Sequence, residues 1–181
     1  MQFKKAESVL KMEKTLKVIN ELERKGIIEG YAIGGGIAVV FYVEPILTYD
    51  LDVFVLLPKT EDRIVSVSPI YEFLRGKGYK EQQEHVLIEG VPVQFIPVYN
   101  DLVEEAVKEA QEIKFGRTKT RVVRAEHLLA IMLQTYRPKD KARMTQLLEE
   151  GEIDPHYLSE VLGRHGLHKK WDAFKRRFYG D

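Results

Sequence analysis

One short segment limits what this chain can fold into more than any other. Residues 51–57 read Leu-Asp-Val-Phe-Val-Leu-Leu, are closed by Pro58, and are apolar except at Asp52. A run this short, rich in β-branched and aromatic side chains, is a strand. Because both alternating faces are apolar, it is expected to be a central strand covered from both sides. The flanking sequence offers the covering helices. Apolar residues recur at helical spacing at Val9, Leu10, Leu16, Ile19 and Leu22, with Gly26 as a plausible C-cap. Residues 27–33 form a strand running into Gly34-Gly35-Gly36. Residues 37–43 fit a short buried helix, although their β-branched side chains leave that reading open, and Pro45 ends it.

Residues 67–77 look helical and stop at Gly78. Two apolar runs, 85–88 and 91–96, flank Glu89-Gly90, which is a hairpin signal. Pro92 then belongs at an edge or a strand start. Asp101 is a candidate cap for a helix over 102–110, and a short strand is expected around 120–123. From Arg124 onward only helical patterns remain: 125–136, 138–150 with Pro138 in its first turn, a third beginning at Asp154-Pro155, and a fourth over 168–178. The expected architecture is α/β (α+β). A small mixed sheet flanked by helices occupies residues 1–124, and a helical C-terminal region over 125–181 packs on it.

Composition narrows the function. The chain has 181 residues, with 28 Lys and Arg against 28 Asp and Glu, so it is not a uniformly basic nucleic-acid binder. No cysteine is present, which removes disulfides, thiolate metal sites and cysteine nucleophiles, and sits easily with a reducing compartment. No apolar run approaches the ~20 residues of a membrane span, and residues 1–7 lack the apolar stretch of a secretory leader, so a cytoplasmic protein is expected. The charges are nevertheless polarised. Residues 163–181 hold six basic and two acidic side chains, whereas residues 101–112 hold five acidic and one basic.

Asp50 and Asp52 stand out chemically. Residues at i and i+2 on a strand project to one face, so two like charges meet there and raise each other's pKa unless a cation lies between them. Paired oxygen ligands suit Mg²⁺, which completes its shell with water and substrate phosphates. The plainer alternative is that Asp50 caps a turn and Asp52 begins a strand at the solvent rim. Upstream, glycines before a helix allow phosphate to approach backbone N–H groups, or simply make a strand-to-helix turn. Together the two features describe a phosphate cradle and a metal clamp.

Gly35-Gly36, thirteen residues, then Asp50-Leu51-Asp52 resembles the opening signature of the nucleotidyltransferase fold of the DNA polymerase beta superfamily. The run from Thr48 to Val53 is similar to the form in minimal bacterial and archaeal members, the AbiEii-like toxins among them. Arg137-Pro138-Lys139-Asp140 resembles the basic-Asp motif that opens the helical region of that group. The resemblance implies transfer of a nucleoside monophosphate from an NTP to a hydroxyl on RNA, protein or a small molecule, using Mg²⁺, with two ions expected. It implies that Asp50 and Asp52 hold the metals and that Gly35 and Gly36 approach the phosphates, with Thr48 and Arg137 also on the nucleotide. Lys139 would supply positive charge, and Asp140 would orient it.

Two positions depart from the pattern. The third carboxylate of the superfamily falls on the strand over 91–96, where the matching polar residue is Gln94; Glu89 substitutes only if the register differs. A glutamine offers a carbonyl oxygen but no charge. A lysine common in the helix before the basic-Asp motif is replaced here by Met132. The alternative reading is therefore a catalytically degenerate nucleotide- or RNA-binding member, as a partner or toxin–antitoxin component. A third is a structural protein in which the aspartates merely end a turn.

The remaining features carry bland and functional readings side by side. His165 and His168 are spaced like metal ligands but lack obvious companions, and fit an interhelical loop. Trp171, Phe174 and Phe178 form a helical packing stripe. Lys169, Lys170, Lys175, Arg176 and Arg177 make either a solvated face or a surface for RNA phosphates, and Arg137, Lys139, Lys141 and Arg143 form a second basic cluster nearer the expected cleft.

Overall fold

The computed structural model describes residues 2–42, 50–59 and 66–180. Among them the chain runs α1 (Gln2–Arg24), β1 (Gly30–Gly34), α2 (Gly35–Val40), β2 (Leu51–Leu56), α3 (Ser68–Gly76), β3 (Lys80–Gln82), β4 (His85–Ile88) and β5 (Val91–Pro97). It continues as α4 (Asp101–Lys108), β6 (Gln111–Phe115), β7 (Thr118–Val122), α5 (Ala125–Thr135), α6 (Pro138–Glu150), α7 (Pro155–Arg164) and α8 (His168–Tyr179). The sheet is mixed, in the order β3-β4-β5-β2-β1-β7-β6. β2 lies at its centre, as its apolar run requires, between antiparallel β1 and parallel β5.

Alternation on these strands separates two layers. Tyr31 and Ile33 of β1 pair with Val55 and Val53 of β2, and Val53 pairs with Phe95 of β5. This face meets α1 and α3: the Tyr31 hydroxyl donates to Asn20 Oδ1 (2.6 Å), and Tyr71 packs edge-on against Phe95. The opposite face carries Asp52, Phe54, Gln94 and Ile96, and α2, α4 and α5 lie over it. α5 is buried along most of its length, because α4, α6 and α7 pack around it in turn.

Several elements differ from the sequence expectation for physical reasons. β3 and β6 went unpredicted: Lys-Glu-Gln and Gln-Glu-Ile-Lys-Phe have little apolar alternation, and these sheet edges are held mainly by ladder hydrogen bonds to β4 and β7. The expected strand over 120–123 is β7, which starts two residues earlier and ends one earlier, and pairs through Val122 with Ile33 of β1. Asn100 rather than Asp101 caps α4, its Oδ1 accepting from Val103 N at 2.9 Å; Asp101 is the first helical residue. Pro92 does sit at a strand start, as the second residue of β5 and one before pairing with β2 begins at Leu51–Val93, so its missing N–H interrupts no ladder there. The glycine triplet splits, with Gly34 ending β1 and Gly35 starting α2.

Candidate active site

Where β2 and β5 run side by side, Asp52 is in register with Gln94 and Phe54 with Ile96. These four side chains floor a cleft of about 230 Å³. Leu128, Ile131, Met132 and Thr135 of α5 make one wall, and Arg137, Lys139, Asp140 and Arg143 at the start of α6 make another. Gly35 and Tyr99 complete the rim. Residues more than a hundred positions apart in the chain thus share one small volume.

Gly35 has no acceptable substitute in this arrangement. Gly34 pairs with Asp52 across β1 and β2, and the next residue turns into α2 with φ +59°. A Cβ on Gly35 would sit 1.8 Å from Asp52 Oδ2, so the carboxylate rests almost against the backbone. Gly34 is nearly as constrained, since a Cβ there would meet the Phe54 ring at 2.3 Å. Gly36 is buried in the first turn of α2 and does not line the cleft.

Asp52 is a carboxylate under stress. Burial pushes its pKa up, the charges of Lys139 and Arg143 pull it back, and Asp50 pushes again, leaving it above the ordinary value. It makes no hydrogen bond or ion pair of ordinary length with another described residue, so the nearby cations act at a distance. Asp50 precedes β2 and is more than half exposed; its Oδ2 lies 3.8 Å from His85 Nε2 on β4. The two aspartates therefore feel each other, but one is in the cleft and the other at its mouth.

The opening of α6 shows the opposite condition. Asp140 is buried, and its Oδ2 accepts from Arg137 N (3.1 Å), Arg137 Nε (2.8 Å) and Thr135 Oγ1 (2.8 Å). Burial alone would raise its pKa, but these donors outweigh burial and hold it below the usual range. The side chain that Asp140 orients is thus Arg137, not Lys139. Lys139 and Arg143 form no ion pair among the described residues and point their charge at Asp52.

Gln94 occupies the place beside Asp52 across the sheet. Its Nε2 donates to Glu84 Oε2 at 3.4 Å, from the turn joining β3 to β4. Glu89 sits in the β4–β5 turn, where it accepts from the Tyr79 hydroxyl (2.8 Å), and does not line the cleft. Met132 does line it. Thr48 lies outside the described residues. Sequence reasoning missed Tyr99, Thr135, His85 and Glu84. None stands in a motif; each reaches the site or its edge through strand register or helix packing.

The other candidates resolve into packing. His165 Nε2 bonds Glu105 Oε2 at 2.9 Å, in a cluster with His127 and Arg164. Trp171 stacks on buried Phe174, which packs on Phe178. Among the described residues, no group of three or more His, Cys, Asp or Glu side chains is placed to hold a metal ion. No described helix is long and apolar enough to cross a membrane.

No protein-family model matches the chain, and no curated protein matches it in sequence. Solved structures do match. An antigenic nucleotidyltransferase-like protein from Paracoccidioides brasiliensis superposes with a TM-score of 0.55 at 13% identity, covering 96% of this chain and 98% of that one. The chain has the nucleotidyltransferase fold. The antibiotic-resistance factor ANT(2'')-Ia gives a TM-score of 0.50 at 14% identity, with the same coverage of both chains. The fold resemblance read from Gly35-Gly36 and Asp50-Leu51-Asp52 is therefore matched by the structure as a whole.

Proposed function

We propose that this nucleotidyltransferase fold transfers a nucleoside monophosphate from an NTP to a hydroxyl acceptor. The observation that carries the proposal is Asp52, a partly desolvated carboxylate without an ion-pair partner among the described residues, facing Lys139 and Arg143 across the cleft. A half-buried acid without a direct partner is costly, and folds retain one where a ligand supplies the missing charge.

The donor set fits Mg²⁺. Asp52 in the cleft, Asp50 at its mouth and the Gln94 amide oxygen would be the groups to hold it, all hard donors, leaving the rest of the shell for water and phosphate. Bound there, Mg²⁺ would offset charge on the phosphates and polarise the α-phosphoryl group. The chain's own residues do the rest. Gly35 lets the Asp52 carboxylate rest against the backbone at the edge of the cleft, Lys139 and Arg143 neutralise the leaving pyrophosphate, and Arg137, fixed by Asp140, holds its guanidinium at the rim. The acceptor oxygen forms a bond to the α-phosphorus, the α–β bridging bond breaks, and the hydroxyl proton leaves to solvent or a nearby base.

The test is incubation with α-³²P-labelled NTPs, MgCl₂ and total RNA or protein. Label should enter an acceptor with the wild-type chain and not with Asp52→Asn. A second reading rests on Gln94. With an amide where the superfamily places a third carboxylate, the cleft holds NTP and Mg²⁺ without turnover. Thermal stabilisation by NTP with Mg²⁺, without pyrophosphate release in the presence of any acceptor, would select it.

A further inference from the structure

The helical region carries a basic surface that the cleft itself does not use. α8 bears Lys169, Lys170, Lys175, Arg176 and Arg177 against a single acid, Asp172, which lies 3.5 Å from Lys175. Lys170 and Arg177 are seven residues apart, two turns along the same edge of the helix. That edge joins the active-site rim through a short series of contacts. Lys170 Nζ donates to the Gln134 carbonyl at the end of α5 (3.2 Å), and the Gln134 side chain accepts from Asn100 Nδ2 (2.7 Å). Asn100 follows Tyr99, a residue 53% exposed that lines the cleft with Arg137.

The order of groups outward from Asp52 is therefore Arg137, an exposed aromatic ring, two amides, then a row of cations. Cations that meet phosphates, interleaved with an aromatic face that stacks a base, form the surface a flexible polynucleotide strand recognises. A small cationic acceptor has no counterpart along this path.

We propose that the α8 edge and Tyr99 guide a single-stranded nucleic acid to the cleft, making the strand the acceptor. This rests on the nucleotidyl-transfer reading above. Tyr99 stacks a base at the cleft rim, while Lys170 and Arg177 hold phosphates behind it. The chemistry is common to RNA and DNA.

Fluorescence anisotropy with labelled 12-nucleotide RNA, the DNA of the same sequence, and an RNA duplex tests the proposal on the full chain. Wild type should bind both single strands with a steep salt dependence. Lys170→Glu with Arg177→Glu should weaken binding about tenfold or more and flatten the slope, since each phosphate contact contributes roughly 0.7 to it for single strands. Tyr99→Ala should weaken single strands about tenfold and leave the duplex unaffected. Labelled NTP then shows which strand, RNA or DNA, receives the nucleotide. Stabilisation of the double variant by NTP and Mg²⁺ should match wild type. Its loss in wild type would sink the transfer reading, and its persistence beside failed strand binding would sink only this one. Equal binding by the double variant, equal affinity for duplex, or equally effective competition by polyglutamate would overturn the proposal, the last pointing to a protein partner.

Discussion

Two carboxylates beside α5 show what distinguishes a group that holds a structure together from one set aside for a ligand. Glu105 of α4 accepts from Arg164 Nη2 (2.7 Å), and its oxygens lie 2.9 Å from His127 Nε2 and 2.9 Å from His165 Nε2. Burial raises its pKa, but those hydrogen bonds prevail and bring it down to about 2. The cluster ties α4 to α5 and α7. Asp52 has burial without such partners, and its pKa moves the other way. Similar chemistry has opposite surroundings, so Glu105 stabilises the fold while Asp52 weakens it until something binds.

Asp52→Asn gives the largest expected effect, a loss of nucleotidyl transfer on the order of a thousandfold. The same substitution should raise the melting temperature at pH 7. A carboxyl whose folded pKa is raised subtracts stability above that pKa and nothing below its unfolded value near ~3.9, so the gap should close in acid. A fall in melting temperature would place Asp52 with Glu105 and break the contrast.

Gly35→Ala should cost transfer roughly a hundredfold, because the new Cβ must displace the Asp52 carboxylate or the turn. Full activity in that variant would mean that Asp52 works from another position.

Glu105→Gln should destabilise the protein by about 1–3 kcal/mol, read from denaturant unfolding, without a matching loss of NTP binding. Because the folded Glu105 pKa is depressed, wild type keeps this stability above ~4.3 and loses it as pH falls through about 2; the variant should lack that component. His127 sharpens the point. Burial holds its pKa down despite Glu105, so the fold favours its neutral form and loses stability as pH drops below ~6.5. Glu105, Glu126 and Arg164 provide the charges around it.

Lys139→Ala should have the smallest effect, about tenfold on transfer, with stability lowered only slightly, since Lys139 has no ion pair among the described residues and loses only its longer-range attraction to Asp52. If it instead unfolds the chain, the opening of α6 is structural throughout, as it is at Asp140.

Much of this contrast was hidden in the sequence. His127, His165 and Glu105 belong to no common motif, and the spacing of His165 from His168 points away from Glu105. Asp140 was legible as a site residue but not by its partner: periodicity places it in the first turn of α6, while the bonds to Thr135 and Arg137 depend on how α5 ends. Tyr136 adopts a left-handed conformation there, with φ +52°, and nothing in its side chain announces that.

What the chain determined locally is the central strand with its one embedded acid, the glycine turn before α2, and the helical character after residue 124. These follow from alternation, β-branching, and the conformations open to glycine and closed to proline. Tertiary structure alone decided that Gln94 stands beside Asp52, that Asp50 stays at the mouth, and that the cations of α6 face a carboxylate nearly ninety residues away. Those are matters of register and packing between distant segments, and no local period encodes them.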